Sequence, residues 1–385
     1  MKKLNFKVIL LFLLIAVMVL PLAEKIFHFS ISKLADLKGA YVKPVCPQLN
    51  WKSFFNFEMQ DSLSAYIESE VSNRNALVRL RNQIAFTVFD ETTNREIAVG
   101  KENYLFEKIY FDAYNKKLTA SDSSEIYKNT EKLSDVIDSL KVRNIDLVVV
   151  FAPSKVSVMR EYVPEKFFYR YDGLDIKYKT CADALNRSKI PFIDFNSYFI
   201  SKKSKSNYPV FTKGNAHWTF YKGCEAMDSI VSYITLHFNI PFWQYYLLDS
   251  DPVDLPQFQD DDLSSTMNLL NSMKDKSYQY PNFVLTDTTK CTKPDVLLIG
   301  DSFGWTLIYS SLPHKIFSRN FKFWDYNQSV WSEYFEKAKP IGEFDYKAEI
   351  LKNRVIIIIE GGLHYNNIGH GFIEQAYKIF HSELE

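Results

Sequence analysis

Hydrophobic positions recur along this chain in two rhythms: a charge-free apolar run at residues 8–23, and then an alternation of helical faces with short apolar strands. In residues 51–89, Trp51, Phe54, Phe57, Leu63, Tyr66, Ile67, Val71, Leu77 and Leu80 predict one or two amphipathic helices, with a break near Arg74 between Asn73 and Asn75. Residues 98–106 read as a glycine-led turn feeding an aromatic strand. Leu133, Val136, Ile137 and Leu140 fall at i, i+3, i+4 and i+7, which predicts a helix, and the strand 145–151 and a turn at 152–155 follow it. A second helical stretch near 174–188 leads into 191–195, and a third runs from about 219 to 238. The runs 296–300 and 354–360 are apolar enough to be buried strands, and 375–381 suggests a closing helix. Strands alternating with helices predict an α/β fold with a mainly parallel sheet flanked by helices.

The run at 8–23 follows Lys2, Lys3 and Lys7, so it is either a secretory signal or a slightly short membrane anchor with its basic end in the cytoplasm. Pro21-Leu22-Ala23 fits a cleavage site poorly, and an uncleaved N-terminal membrane helix is expected over residues 1–28. Residues 29–50 then form a linker, and 51–385 an extracytoplasmic domain interrupted by an acidic insert at about 242–292. The insert's aspartates, Asp249, Asp251, Asp254, Asp260, Asp261 and Asp262, lack EF-hand spacing, and a solvated loop is expected there.

Composition narrows the function classes. The 385 residues carry 46 Lys+Arg and 46 Asp+Glu, which argues against an overall electrostatic grip on nucleic acid. Aromatics, at 16%, suit carbohydrate contact but equally suit core packing. Cys46, Cys181, Cys224 and Cys291 show no metal-binding spacing; neither a metal nor a cofactor is expected.

Gly300-Asp-Ser-Phe303 breaks the run that begins at Val296 and puts Ser302 at the carboxyl end of a strand, where open α/β sheets place their ligands. A serine there is either a helix cap or a nucleophile. A nucleophile needs a base, and His217 lies in a glycine-containing loop directly before the third helix, placed to reach that edge. His364, just after the strand ending at Glu360, is the competitor.

Five features in order carry a resemblance. The N-terminal apolar helix, Val99-Gly-Lys-Glu-Asn-Tyr-Leu-Phe106, Val149-Val-Phe-Ala-Pro-Ser-Lys155, the His217-Trp218 loop and Gly300-Asp-Ser-Phe303 together resemble the alginate O-acetyltransferase (AlgJ/AlgX-like) family. That family is a branch of the SGNH hydrolase superfamily with a permuted motif order. The resemblance implies an SGNH-hydrolase-like fold, Ser302 as the acetyl-accepting nucleophile and His217 as its general base. It further implies a polysaccharide acceptor, a multispanning membrane acyltransferase as partner, and a single-pass position in the inner membrane with the catalytic domain on the periplasmic side.

The family pattern wants an aspartate two residues before the histidine, where this chain has Asn215. Asn215 can orient His217 through its amide oxygen but without a carboxylate's charge; Asp194 or Glu360 are the alternative supports. Tyr104 stands where the family usually has tryptophan. Membrane-anchored polysaccharide O-acetylation is therefore the leading reading. The alternatives are an SGNH-type acetyl esterase and a catalytically impaired carbohydrate-binding or scaffolding protein.

Overall fold

The computed structural model describes residues 6–27, 35–39, 43–48, 55, 58–71, 73–167, 173–273, 275, 278–287 and 292–381. They fall into two compact units, 1–95 with 264–273, and 96–263 with 274–385. Within the first unit, polar bonds that hydropathy cannot register tie residues 74–95 to the 264–273 segment. Buried Asn82 donates its side-chain amide to the Met267 carbonyl at 2.8 Å and accepts from the Thr93 hydroxyl at 2.7 Å.

In the first unit the apolar run lies on the helix Phe6–Phe27. Among the described residues no helix is long and apolar enough to cross a membrane. Helices Glu58–Ser69 and Arg74–Phe89 follow, and Asn73, in the left-handed region at φ 59°, makes the break between them. Trp51, Phe54, Phe57 and much of the expected linker lie outside the described residues.

The second unit is built on a seven-stranded sheet. In spatial order the strands are Lys339–Pro340, Ser329–Trp331, Lys322–Asp325, Val296–Gly300, Val355–Glu360, Asp146–Phe151 and Phe192–Asp194. The five from Lys322–Asp325 to Phe192–Asp194 run parallel, while Ser329–Trp331 and Lys339–Pro340 are added antiparallel. The sheet is therefore mixed. The parallel core follows from its sequence: every residue of Val296–Gly300 and Val355–Glu360 is buried, as central strands covered on both faces must be. Each fully buried Val, Leu or Ile there contributes about 1.5–3 kcal/mol relative to exposure.

Helix Ala120–Lys141 starts at a Thr119/Asp122 capping box and buries Leu133, Val136, Ile137 and Leu140, the predicted face. Gly173–Arg187, Phe220–Phe238 and Phe372–His381 are the other long helices of this unit. Thr219 caps Phe220–Phe238 by accepting from the Lys222 N–H at 3.3 Å. Residues 97–107 form a small hairpin, Ile97–Val99 against Leu105–Glu107.

The expectation of a solvated acidic loop at 242–292 is corrected. Strands Gln244–Leu248 and Asn282–Asp287 pair antiparallel, Val253 bridges Tyr278, and the short helix Asp262–Thr266 lies between them in sequence. Asp260 is buried, accepts the Phe220 N–H at 3.0 Å, and is pushed up to about 7 by burial. Of the cysteines, Cys181 and Cys224 are buried free thiols, Cys46 is exposed, and Cys291 lies outside the described residues.

Candidate active site

Ser302 follows the Val296–Gly300 strand, one residue past Asp301, and holds the position before the helix Phe303–Tyr309 without capping it through its side chain. The strand can end this close to its neighbour only because residue 300 is glycine: a Cβ there would lie 2.2 Å from the Ile359 side chain and 2.5 Å from its carbonyl oxygen. The Asp301 carboxylate turns inward, accepting the Phe303 N–H at 3.0 Å and the Gly361 N–H at 2.6 Å. These bonds fix the turn that presents Ser302. Burial raises Asp301 to about 6, against the lowering effect of its two N–H donors.

His217 sits in the loop 211–218, which is anchored at its end by Trp218. That indole is fully buried and packs edge-on against Phe195, Phe199 and Phe303. The Thr219 N–H closes the loop on the Val210 carbonyl at 2.8 Å. Lys155, itself buried, reaches under the loop and donates to the carbonyls of Asn215 at 2.5 Å and Lys213 at 3.2 Å. Its ammonium also lies over the rings of Tyr104 and Phe106, and burial lowers it to about 7. The motifs 99–106 and 149–155 thus both bear on the loop that carries the histidine.

His217 Nε2 lies 2.7 Å from Ser302 Oγ. On its other side His217 Nδ1 is hydrogen-bonded to the Asp262 carboxylate, whose second oxygen accepts the N–H groups of Ala216 and Leu263, each at 2.7 Å. Burial by itself lowers the imidazole pKa, but the carboxylate of Asp262 outweighs it, helped by Glu107 and Asp301, and the net direction is upward. The arrangement has the connectivity of a serine, histidine and carboxylate relay: a proton acceptor on the hydroxyl, and an anion on the imidazole's far nitrogen.

Asn215 does not take that third position. It is fully buried, its amide oxygen accepts the Thr212 N–H at 3.0 Å, and it braces the loop from within. The carboxylate comes instead from the acidic segment, 45 residues beyond His217. The two substitutes expected from sequence are elsewhere. Asp194 caps the helix Phe195–Lys202 through the Ser197 N–H at 3.0 Å, and Glu360 is fully buried beside Asp301. His364 packs against His370, with ring centroids 5.0 Å apart, and has no bond to Ser302. Asp262 opens a helix within an Asp-Asp-Asp-Leu run, a helix-start signal present in the sequence but hidden among six aspartates.

Two further side chains meet Ser302. The Tyr326 hydroxyl is 3.4 Å from Ser302 Oγ. Tyr326 is held at φ 51°, a left-handed conformation that is uncommon for an aromatic residue and of the kind found at functional sites. Gln259 donates to the Ser302 carbonyl at 3.3 Å and accepts from the Thr306 hydroxyl at 2.7 Å.

Residues 97–232 match the family model described as the SGNH hydrolase-like domain of acetyltransferase AlgX. The chain resembles this family. The matched stretch contains His217 and Lys155 but neither Asp262 nor Ser302. Among solved structures, the O-acetyltransferase domain of Pseudomonas putida AlgJ aligns at 15% identity over 74% of this chain and 99% of that one, with a TM-score of 0.48. Pseudomonas aeruginosa AlgX aligns at 17% identity over 74% and 66%, with a TM-score of 0.47. Bacillus cereus PatB1 with a sulfonyl adduct aligns at 13% identity over 72% and 97%, with a TM-score of 0.45. No curated protein matches the chain by sequence.

Proposed function

We propose that this protein is an extracytoplasmic O-acetyltransferase that passes an acetyl group through Ser302 to a hydroxyl of an exported polysaccharide. The observation that carries the reading is the continuous line Ser302 Oγ, His217 and Asp262, with 2.7 Å between the hydroxyl and the imidazole. His217 Nε2 takes the Ser302 proton as Oγ bonds to the donor's acetyl carbon; the carbonyl electrons move onto oxygen. Collapse of this intermediate expels the donor's leaving group, which takes the proton from His217 and leaves acetyl-Ser302. A sugar hydroxyl then gives its proton to His217, attacks the acetyl carbon, and releases Ser302, which recovers that proton. Asp262 holds the tautomer with Nδ1 protonated and balances the imidazolium formed in each half-reaction. The Tyr326 hydroxyl, 3.4 Å from Oγ, and the Ser302 N–H are the donors this reading assigns to the developing oxyanion.

In this reading the charge-free run at 8–23 anchors the chain in the inner membrane, with the site on the periplasmic side. A multispanning membrane acyltransferase is the matching source of acetyl groups. The test is incubation of the purified protein with an activated acetyl ester and a panel of polysaccharides. The expected result is an acetyl adduct on Ser302, found by peptide mass spectrometry, that decays into O-acetylated glycan. Release of acetate alone, with every acceptor, would sink the transferase reading in favour of an esterase.

A further inference from the structure

We propose that Asp301, Glu360 and His370 form a binding site for one divalent transition-metal cation of the zinc class, set directly behind the Ser302 turn. A carboxylate oxygen of Asp301, a carboxylate oxygen of Glu360 and a ring nitrogen of His370 all lie within 4.8 Å of one another. His370 Nε2 is 3.5 Å from Glu360 Oε2. Two ligands on one tetrahedral ion with bonds near 2.1 Å are separated by about 3.4 Å.

The donors are also unspent. Glu360 is fully buried, and neither of its oxygens has a hydrogen-bond partner, although the backbone N–H groups of Gly369 and His364 favour its charged form. His370 Nε2 likewise has no hydrogen-bond partner. Each Asp301 oxygen accepts one N–H and keeps a lone pair. Among the described residues no Lys or Arg forms an ion pair with Asp301 or Glu360, and the one ionic contact of Glu360 is His370. Two carboxylates buried side by side without a basic partner call for a positive charge between them. A divalent cation meets this need and engages the imidazole as well.

The chain is shaped to bring the third donor back. After Glu360, Gly362, Gly369, His370 and Gly371 all adopt positive φ, so the loop folds over the strand end and returns His370 to the carboxylate. The imidazole is then held between the rings of Tyr326 and His364, at 4.9 and 5.0 Å. One imidazole and two carboxylates suit zinc or manganese better than calcium or magnesium, which favour oxygen donors alone. A cation here clasps the loop 361–371 to the Ser302 turn. The inference does not depend on the acetyl-transfer reading, because it is tested by binding alone.

Full-length protein stripped with a chelator is titrated with Zn²⁺ by calorimetry, and with Co²⁺ by absorption. The expected result is one equivalent bound, a higher melting temperature, and a Co²⁺ spectrum without thiolate charge-transfer bands. Glu360→Gln and His370→Asn, the latter chosen because asparagine tolerates the left-handed backbone, should each weaken binding at least tenfold. Cys46→Ser should bind as the wild type does. The proposal is overturned by no uptake in the wild type, by wild-type affinity in both ligand variants, or by a thiolate band in the Co²⁺ spectrum. The wild-type measurements decide the matter even where a variant fails to fold.

Discussion

His217 takes its supporting carboxylate from Asp262, a residue of the acidic segment, and not from Asn215 two positions upstream. This relationship fixes the first prediction. Asp262→Asn should lower kcat by about four orders of magnitude, the effect of the same change in serine-protease triads. Because Asp262 is what raises His217, the variant should also shift the acid limb of the kcat/KM profile to lower pH. An unmoved limb in a folded Asp262→Asn protein would sink the assignment.

Asn215→Asp should do the reverse of what the family pattern suggests. The residue is fully buried and its Nδ2 has no partner, so one oxygen of the new carboxylate would be buried without a donor while the other keeps the Thr212 N–H. Turnover should not rise, and stability should fall by about 1–3 kcal/mol in urea unfolding. A large gain in kcat would show that position 215 governs the imidazole after all.

These two residues also mark what the sequence could and could not disclose. The strands at 145–151, 296–300 and 354–360 were legible because burial on both faces requires unbroken apolar runs, and Ser302 and His217 because each stands where such an element ends or begins. Asp262 was not legible: its bond to His217 is made by tertiary packing across 45 residues, and its local context is one acid among many. Asn215 misled because sequence adjacency does not say which way a side chain points; here it points into its own loop, onto the Thr212 N–H. The hairpin Ser329–Trp331 and Lys339–Pro340 escaped because strands of two or three residues have no readable period.

Tyr326→Phe removes a hydroxyl beside Ser302 Oγ and keeps the ring against His370. The loss should be of the kind seen on deleting one oxyanion donor, about 10²–10³ in kcat, with KM and melting temperature little changed. Steady-state kinetics on an acetyl ester decide it, and unchanged kcat would remove Tyr326 from the site.

Lys155→Met should loosen the histidine loop by leaving the Asn215 carbonyl without its Lys155 donor, at a cost of about 1–3 kcal/mol, while the Lys213 carbonyl keeps the Leu105 N–H at 2.8 Å. A pH signature accompanies it. Burial lowers Lys155 to about 7, so between that pH and the ordinary lysine range the unfolded chain binds a proton that the folded one does not. Stability should therefore rise with pH across that window by virtue of Lys155, and Lys155→Met should flatten the rise in denaturant titrations at several pH values.

The position of Val355–Glu360 between Asp146–Phe151 and Val296–Gly300 has a consequence for the order in which the molecule is made. Of the seven strands of this sheet, the last in chain order is the one inserted at the middle of its parallel part. Until it emerges, the strand that leads to Ser302 has no partner on that side, and Asp301 lacks the Gly361 N–H that holds its carboxylate. A nascent chain carrying both Ser302 and His217 is thus still an incomplete catalyst. Completion of the site waits on the strand Val355–Glu360 and the Gly361 N–H that follows it.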